Sequence, residues 1–234
     1  AAIYNDRIYT VGGASSVGSQ PLTNVRYNKI NADGSLNNWV DTTPLPEGRL
    51  TGGGTMSAVW GAYLYISGGC GTVNASGYCT AVRSDVELAS INADGSLDKW
   101  NTVGTAFDER LGGNLVAWRG YLYRVGGCVA QNGTTGDCGD NTMSLINYGK
   151  INRDGDASTT GQSTSSGSGK CTGSNPSQCN LPGQNYIGNM LTNSIIYNGY
   201  IYVMGGCTNN SCSTTSRNII YASLDTDGSI TKPA

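Results

Sequence analysis

One segment recurs four times and limits what this chain can fold into: an alternating, tyrosine-bearing run that ends on Gly-Gly. It reads YNDRIYTVGG from Tyr4 to Gly13, YLYISGG from Tyr63 to Gly69, YLYRVGG from Tyr121 to Gly127 and YIYVMGG from Tyr200 to Gly206. Aromatic and β-branched residues at alternate positions suit a pleated strand. The glycine pair lets the chain leave the strand through conformations that a Cβ would forbid. The first glycines stand at 12, 68, 126 and 205, in steps of 56, 58 and 79 residues. Self-similarity at such spacings is the signature of a repeat architecture.

A second landmark keeps the same rhythm. Ile30-Asn31-Ala32-Asp33-Gly34-Ser35-Leu36 returns as Ile91 to Leu97, and weaker copies run from Ile151 to Gly155 and from Leu224 to Ile230. Asp-Gly between apolar runs predicts a hairpin, because both residues tolerate positive φ. Tight turns are also expected at Asn5-Asp6, Gly61-Ala62, Arg119-Gly120 and Asn198-Gly199. Each repeat thus offers a strand, a tight turn, the Tyr strand, a variable loop, a third strand, an Asp-Gly hairpin and a fourth strand. Four antiparallel strands per unit make a propeller blade. The tight turns and Asp-Gly hairpins then share one end of the blade. The loops after Gly-Gly and the connections between blades share the other.

These features resemble the kelch repeat family. The resemblance rests on the glycine pairs and the preceding tyrosines, Val25 and Tyr27 in the third strand, Trp39 after the hairpin, and Pro44-Leu45-Pro46 with Arg49 leading into the next repeat. In the second repeat it rests on Val86, Trp100 and Arg110, and it continues into Tyr121, Tyr123, Gly126 and Gly127. The third and fourth repeats lack the tryptophan, and no arginine precedes the first strand of the fourth. The resemblance implies an all-β fold, a β-propeller of four-stranded antiparallel kelch-like blades. It covers residues 1–234 as one region, with repeats near 1–40, 41–101, 102–157 and 186–234 and a Ser/Gly/Thr-rich insertion at 156–185. The chain opens directly on a first strand and stops just inside a fourth, so four repeats of a larger propeller are expected.

The eight cysteines form four close pairs: Cys70 and Cys79, Cys128 and Cys138, Cys171 and Cys179, Cys207 and Cys212. Three of the first members directly follow Gly-Gly. Zinc sites favour short Cys-x2–4-Cys knuckles or histidine, and the chain has no histidine. Local disulfides are therefore expected, each holding one loop and stabilising by roughly 2–3 kcal/mol. They imply an oxidising compartment, so the expected location is extracellular or at the cell surface. Three Asn-x-Ser/Thr sequons, at Asn74, Asn132 and Asn209, lie in the same loops and are candidate glycosylation sites.

Composition narrows the function classes. Net charge is −2 and 13% of residues are charged, so no basic stripe for nucleic acid is visible. No apolar run is long enough for a membrane-spanning helix. Without histidine, copper chemistry of the galactose oxidase type, which the kelch resemblance brings to mind, cannot be built, nor can a Ser-His or Cys-His nucleophile. A carboxylate pair for sugar hydrolysis could draw on Glu47, Asp108 or Glu109. The plainer reading makes these solvated connections, with Arg49 and Arg110 tying neighbouring blades. Ser223, Asp225 and Asp227 alternate like a calcium loop, but no carboxylate completes it at the twelfth position. No cofactor, metal or catalytic residue is expected.

The expectation is a non-enzymatic extracellular binding or adhesion module. It would present disulfide-braced loops on one face to a cell-surface glycan or protein. The alternative is a structural or decorating subunit of a cell-surface assembly, and a glycosidase-like enzyme is a distant third. Intact mass under thiol alkylation tests the redox assignment: no thiol should be labelled in the native protein, and all eight should be labelled after reduction. Labelling of several native thiols overturns it.

Overall fold

A computed structural model describes residues 1–50, 56–103, 107, 109–129, 132–135, 138, 146–162, 170–171, 193–207 and 213–231, with backbone alone at 158–162 and 170–171. These residues form strands and turns, and no helix among them is long and apolar enough to cross a membrane. The first sheet is β1 (Ala2–Tyr4), β2 (Arg7–Val11), β3 (Val25–Lys29) and β4 (Val40–Asp41), paired in that order. The second segment holds β5 (Ser57–Trp60), β6 (Tyr63–Ser67), β7 (Cys70–Val73), β8 (Cys79–Val82), β9 (Val86–Ser90) and β10 (Asn101–Val103). Its sheet runs β5-β6-β9-β10, while β7 and β8 form a separate hairpin. The third sheet is β11 (Asn114–Trp118), β12 (Tyr121–Val125), β13 (Ile146–Ile151) and β14 (Ala157–Gln162). The fourth contains β15 (Lys170–Cys171), β16 (Asn193–Tyr197), β17 (Tyr200–Met204), β18 (Ile219–Leu224) and β19 (Ile230–Thr231), in the order β16-β17-β18-β19-β15.

All pairings are antiparallel, and the four repeats share one register. Arg119-Gly120 and Asn198-Gly199 have positive φ at both central residues, as a two-residue hairpin requires. Two elements depart from the sequence reading. The segment after the second Gly-Gly, expected as a loop, folds into the β7–β8 hairpin. The segment 156–185, expected as an insertion, supplies β14 at the edge of the third sheet, and β15 joins the fourth. Its threonines suit an edge strand, and low complexity does not prevent backbone pairing.

The sheets stack face against face, and the core lies between them. Tyr9 and Val25 of the first sheet meet Leu64, Ile66, Ala89 and Trp100 of the second. Tyr65, Val86 and Leu88 meet Leu115 and Leu122 of the third, whose Tyr123, Val125 and Ile146 meet Ile201, Val203 and Ala222 of the fourth. The four first strands, β1, β5, β11 and β16, line one shared cavity of about 560 Å³.

One polar contact repeats at each of these interfaces. The Tyr9 hydroxyl donates to the Gly95 carbonyl at 3.0 Å, Tyr65 to Gly155 at 2.8 Å and Tyr123 to Gly228 at 3.0 Å. Each acceptor is the glycine of the Asp-Gly turn in the next sheet. Burial pushes the Tyr9 hydroxyl up to about 12 and raises Tyr65 and Tyr123 as well, so all three remain donors at neutral pH. Replacing Tyr65 by Phe strands a buried carbonyl and should cost about 1–2 kcal/mol in urea unfolding. Tyr221→Phe, at an exposed ring, should change stability by no more than about 0.5 kcal/mol. Equal effects would show that the hook contributes nothing.

Candidate functional site

At the end opposite the tight turns, the segments following Gly-Gly are knitted into one surface. Cys70–Cys79 closes the β7–β8 hairpin, and Cys128–Cys138 closes the corresponding segment of the third repeat. The four sulfurs are buried in one cluster with Val73 and Leu111. Cys70 exchanges both backbone hydrogen bonds with Leu50, and Cys128 does the same with Leu111. Neighbouring repeats are also joined. Gln20 donates to the Val73 carbonyl at 2.8 Å and accepts from the Val73 amide at 3.3 Å, imitating a strand partner. Asn74 Nδ2 donates to the Gly133 carbonyl at 2.6 Å. A braced face of this kind can hold a binding geometry without ordering cost on contact.

Two clefts flank the hairpin. One, of about 370 Å³, lies between Thr72, Ala81 and the charged group Glu47, Arg83 and Asp85. The other, of about 430 Å³, is lined by Thr80, Val82, Glu109, Val129 and Gly133.

Beneath the first cleft lies a charge network. Arg49 is buried and donates to Asp85 through both terminal nitrogens, at 2.9 and 2.7 Å, and to the Gly68 carbonyl at 2.8 Å. Arg83 also donates to Asp85, at 3.1 and 3.2 Å, and pairs with Glu47. Burial alone would raise Asp85, but the two guanidiniums outweigh it and hold its carboxyl well below the usual carboxylate range. Glu87 shifts the other way: burial raises it despite a 3.1 Å hydrogen bond from Thr102, and its second oxygen has no hydrogen-bond partner among the described residues. Arg110 repeats the role of Arg49, donating to the Gly126 carbonyl at 3.0 Å. Arg124, also buried, donates to Ser67 at 3.3 Å and lies 4.7 Å above the Phe107 ring, tying the second and third sheets.

Arg49 and Arg110 therefore tie neighbouring repeats, as the plain reading of the sequence held. Glu47 and Glu109 are exposed, and Asp108 lies outside the described residues. Cys207 is disulfide-bonded. Cys171 is described only as backbone in β15, and Cys179, Cys212 and Asn209 lie outside the described residues. Of the sequons, Asn74 is half-buried and committed through both side-chain atoms, with Oδ1 accepting from the Ser76 and Tyr78 amides. Asn132 is exposed and accepts from Thr134 and Thr135. Asp225 and Asp227 close their own turn by accepting from Ser229 and Thr231. Trp118 packs between the third and fourth sheets, with Arg119 4.9 Å over its ring. The sequence reading passed over Asp85, Glu87 and Arg83. Their signal was two carboxylates, at alternate positions about an otherwise apolar third strand, 36 residues beyond an arginine.

No family model matches this chain, and no curated protein matches it. A solved structure of YjhT is similar over 100% of the chain, at 18% sequence identity and a TM-score of 0.61. The chain spans 64% of the length of that structure. At this identity the likeness shows the fold alone.

The network sets an acid limit on stability. Asp85 is depressed in the folded state, so its contribution is full above the unfolded value near pH 4 and is lost as pH falls below it. Asp85→Asn should flatten the loss of stability between about pH 4 and pH 2. Arg49→Met leaves Asp85 with Arg83 as its remaining cation and takes away the cation beside the buried Glu87, and should cost about 3 kcal/mol at pH 7. Parallel acid-unfolding curves for wild type and Asp85→Asn would remove Asp85 from this role.

Proposed function

We propose that the four sheets are blades of a kelch-like β-propeller, part of a larger ring, and that the protein is a non-enzymatic extracellular binding or adhesion module. The observation that carries the reading is the contrast between the two ends of the molecule. One end is made of minimal turns that repeat from sheet to sheet. Among the described residues, the other holds the irregular segments after Gly-Gly, including two closed by disulfides and cross-linked by Gln20 and Asn74. Chain length spent on shaped, braced loops over a repetitive scaffold is the arrangement of a recognition surface. The shared cavity of the first strands and the likeness to YjhT support the propeller arrangement. The repeated glycine pairs, tyrosines and arginines support the kelch kinship. Disulfides and the lack of a membrane-spanning helix among the described residues are compatible with an extracellular protein.

The partner in this reading is a cell-surface glycan or protein seated in the clefts beside the β7–β8 hairpin. Thr80 and Glu109 offer exposed hydroxyl and carboxylate groups there, suited to a polyhydroxylated ligand. The test is binding to a glycan array and to intact cells. Thr80→Ala with Glu109→Ala should reduce binding at least about tenfold, the loss of roughly 1.4 kcal/mol. Lys99→Ala, at the turn end, should leave it unchanged. Binding that survives the loop-face change and fails with Lys99→Ala would overturn the assignment of the face. Turnover of a bound glycan that is lost with Glu109→Ala would replace the binding reading with an enzymatic one.

A further inference from the structure

Two sequons meet at the seam between the second and third repeats, and the fold treats them differently. Asn74-Ala75-Ser76 lies in the tip of the β7–β8 hairpin, and Asn132-Gly133-Thr134 lies in the segment closed by Cys128–Cys138. The middle residue of the second sequon holds the side chain of the first, since the Gly133 carbonyl accepts from Asn74 Nδ2 at 2.6 Å. Asn74 is enclosed from the other side as well. Its Oδ1 accepts from the Ser76 and Tyr78 amides at 3.0 Å each, and its backbone bonds to Tyr78 and Gly77 across the tip. From the first repeat, Gly18 packs so closely that a Cβ there would collide with the Ala75 carbonyl oxygen, and a Cβ on Gly77 would meet the Val17 side chain. A sugar on Asn74 would stand where Gly133 docks. A chain that received one before folding could not close this contact.

Asn132 is the opposite case. Residues 132–135 are all exposed. Asn132 Oδ1 accepts from the Thr134 and Thr135 amides at 2.8 and 3.2 Å, an Asx turn that fixes the side chain against its own backbone. Its Nδ2, the atom that would carry a sugar, has no hydrogen-bond partner among the described residues. The neighbouring Gly133 lines the 430 Å³ cleft together with Thr80, Glu109 and Val129. A sugar chain leaving Asn132 therefore starts at the rim of that cleft.

We propose that Asn132 is an N-glycosylation site, that Asn74 is a strut reserved for the seam, and that the Asn132 glycan covers the 430 Å³ cleft and limits what enters it. The covering role rests on the binding reading; the choice between the two asparagines does not. The sugar donor is an oligosaccharide joined through its C1 to a lipid pyrophosphate. Asn132 Nδ2 forms the bond to C1 and gives up one proton to water. The C1–oxygen bond breaks, and the lipid pyrophosphate leaves with its electron pair. Thr134 completes the acceptor motif. A glycan is bulky and strongly solvated, and the exposed turn at 132–135 accommodates it without loss of any contact that joins the sheets.

The test is site mapping on the chain secreted by cultured animal cells. Enzymatic release of N-glycans in heavy-oxygen water labels each asparagine that carried one, and peptide masses then locate the label. Label is expected at Asn132 and none at Asn74. Thr134→Ala should remove the sugar mass of this site, and Thr134→Ser should keep it. Ser76→Ala destroys the first sequon but leaves the Asn74 contacts, so it should change neither the glycan mass nor the thermal midpoint. Asn74→Ala should lower the midpoint. Label at Asn74 in the folded protein, or none at Asn132, overturns the inference. For the cleft, Thr134→Ala should bind the glycan array or cells about threefold more tightly than Thr134→Ser, and the gain should vanish when Thr80→Ala and Glu109→Ala are added. Equal binding by the two Thr134 variants overturns the covering role. A protein glycosylated at Asn132 that binds nothing, with or without its sugar, overturns the binding reading and leaves the modification standing.

Discussion

The packing of this molecule depends on an approach so close that no side chain fits between the two partners. A Cβ on Gly12 would collide with the Arg49 carbonyl oxygen, and one on Gly68 with that of Arg110. The second glycine of each pair uses the same oxygen: the Gly13 amide donates to Arg49 at 2.8 Å and the Gly69 amide to Arg110 at 2.6 Å. The arginine then reaches on to the Gly68 or Gly126 carbonyl of its own sheet. Backbone on one side and guanidinium on the other make each arginine a joint between consecutive glycine pairs. Both residue types follow from that geometry. Only glycine permits the contact and the positive φ, and only a long planar cation spans the remaining gap with several donors.

That joint fixes one end of the first two interfaces, and the tyrosine hydroxyl fixes the other end of all three. The glycine pair closes the Tyr strand at the loop end, while the hook lands on the Asp-Gly turn near the tight-turn end. A sheet pinned at both ends cannot slide along its neighbour, and its apolar face meets the same partners in each repeat. Tyrosine suits this position because its ring fills the face while its hydroxyl satisfies a buried carbonyl. This accounts for tyrosine rather than phenylalanine at positions 9, 65 and 123.

With position set by these joints, the loop end adds cross-links from Gln20 to Val73 and from Asn74 to Gly133 over a seam that the arginines already hold. Its elaborations could therefore grow without disturbing the stack. The β7–β8 hairpin stands over the Arg49–Asp85–Glu87 network, which combines a strongly ionised carboxylate with one that burial drives towards the neutral form. Opposed shifts in neighbouring carboxyls often mark acid–base pairs. Here Asp85 lines the cleft and Glu87 is buried behind it, and the guanidinium beside both is the one that joins the first two sheets. The network couples the loop face to the seam beneath it through Arg49 and Arg83.

The order of strands, their antiparallel pairing and the split into a plain end and an elaborate end were legible in the sequence, because they follow from local chemistry. Alternation, Asp-Gly turns and Gly-Gly exits act over a few residues, and repetition amplified each signal. The Cys70–Cys79 and Cys128–Cys138 bridges were legible for the same reason, as both close short segments. The partners of Arg49, the acceptors of the tyrosine hydroxyls and the opposed carboxylates were not. Their contacts span from 19 to 105 residues in sequence, so they exist only once the sheets are stacked. The pairing of β14 and β15 was also hidden, since edge strands join through backbone that any polar segment possesses. Local chemistry determined the repeat, and tertiary packing alone decided which partners the repeated residues found.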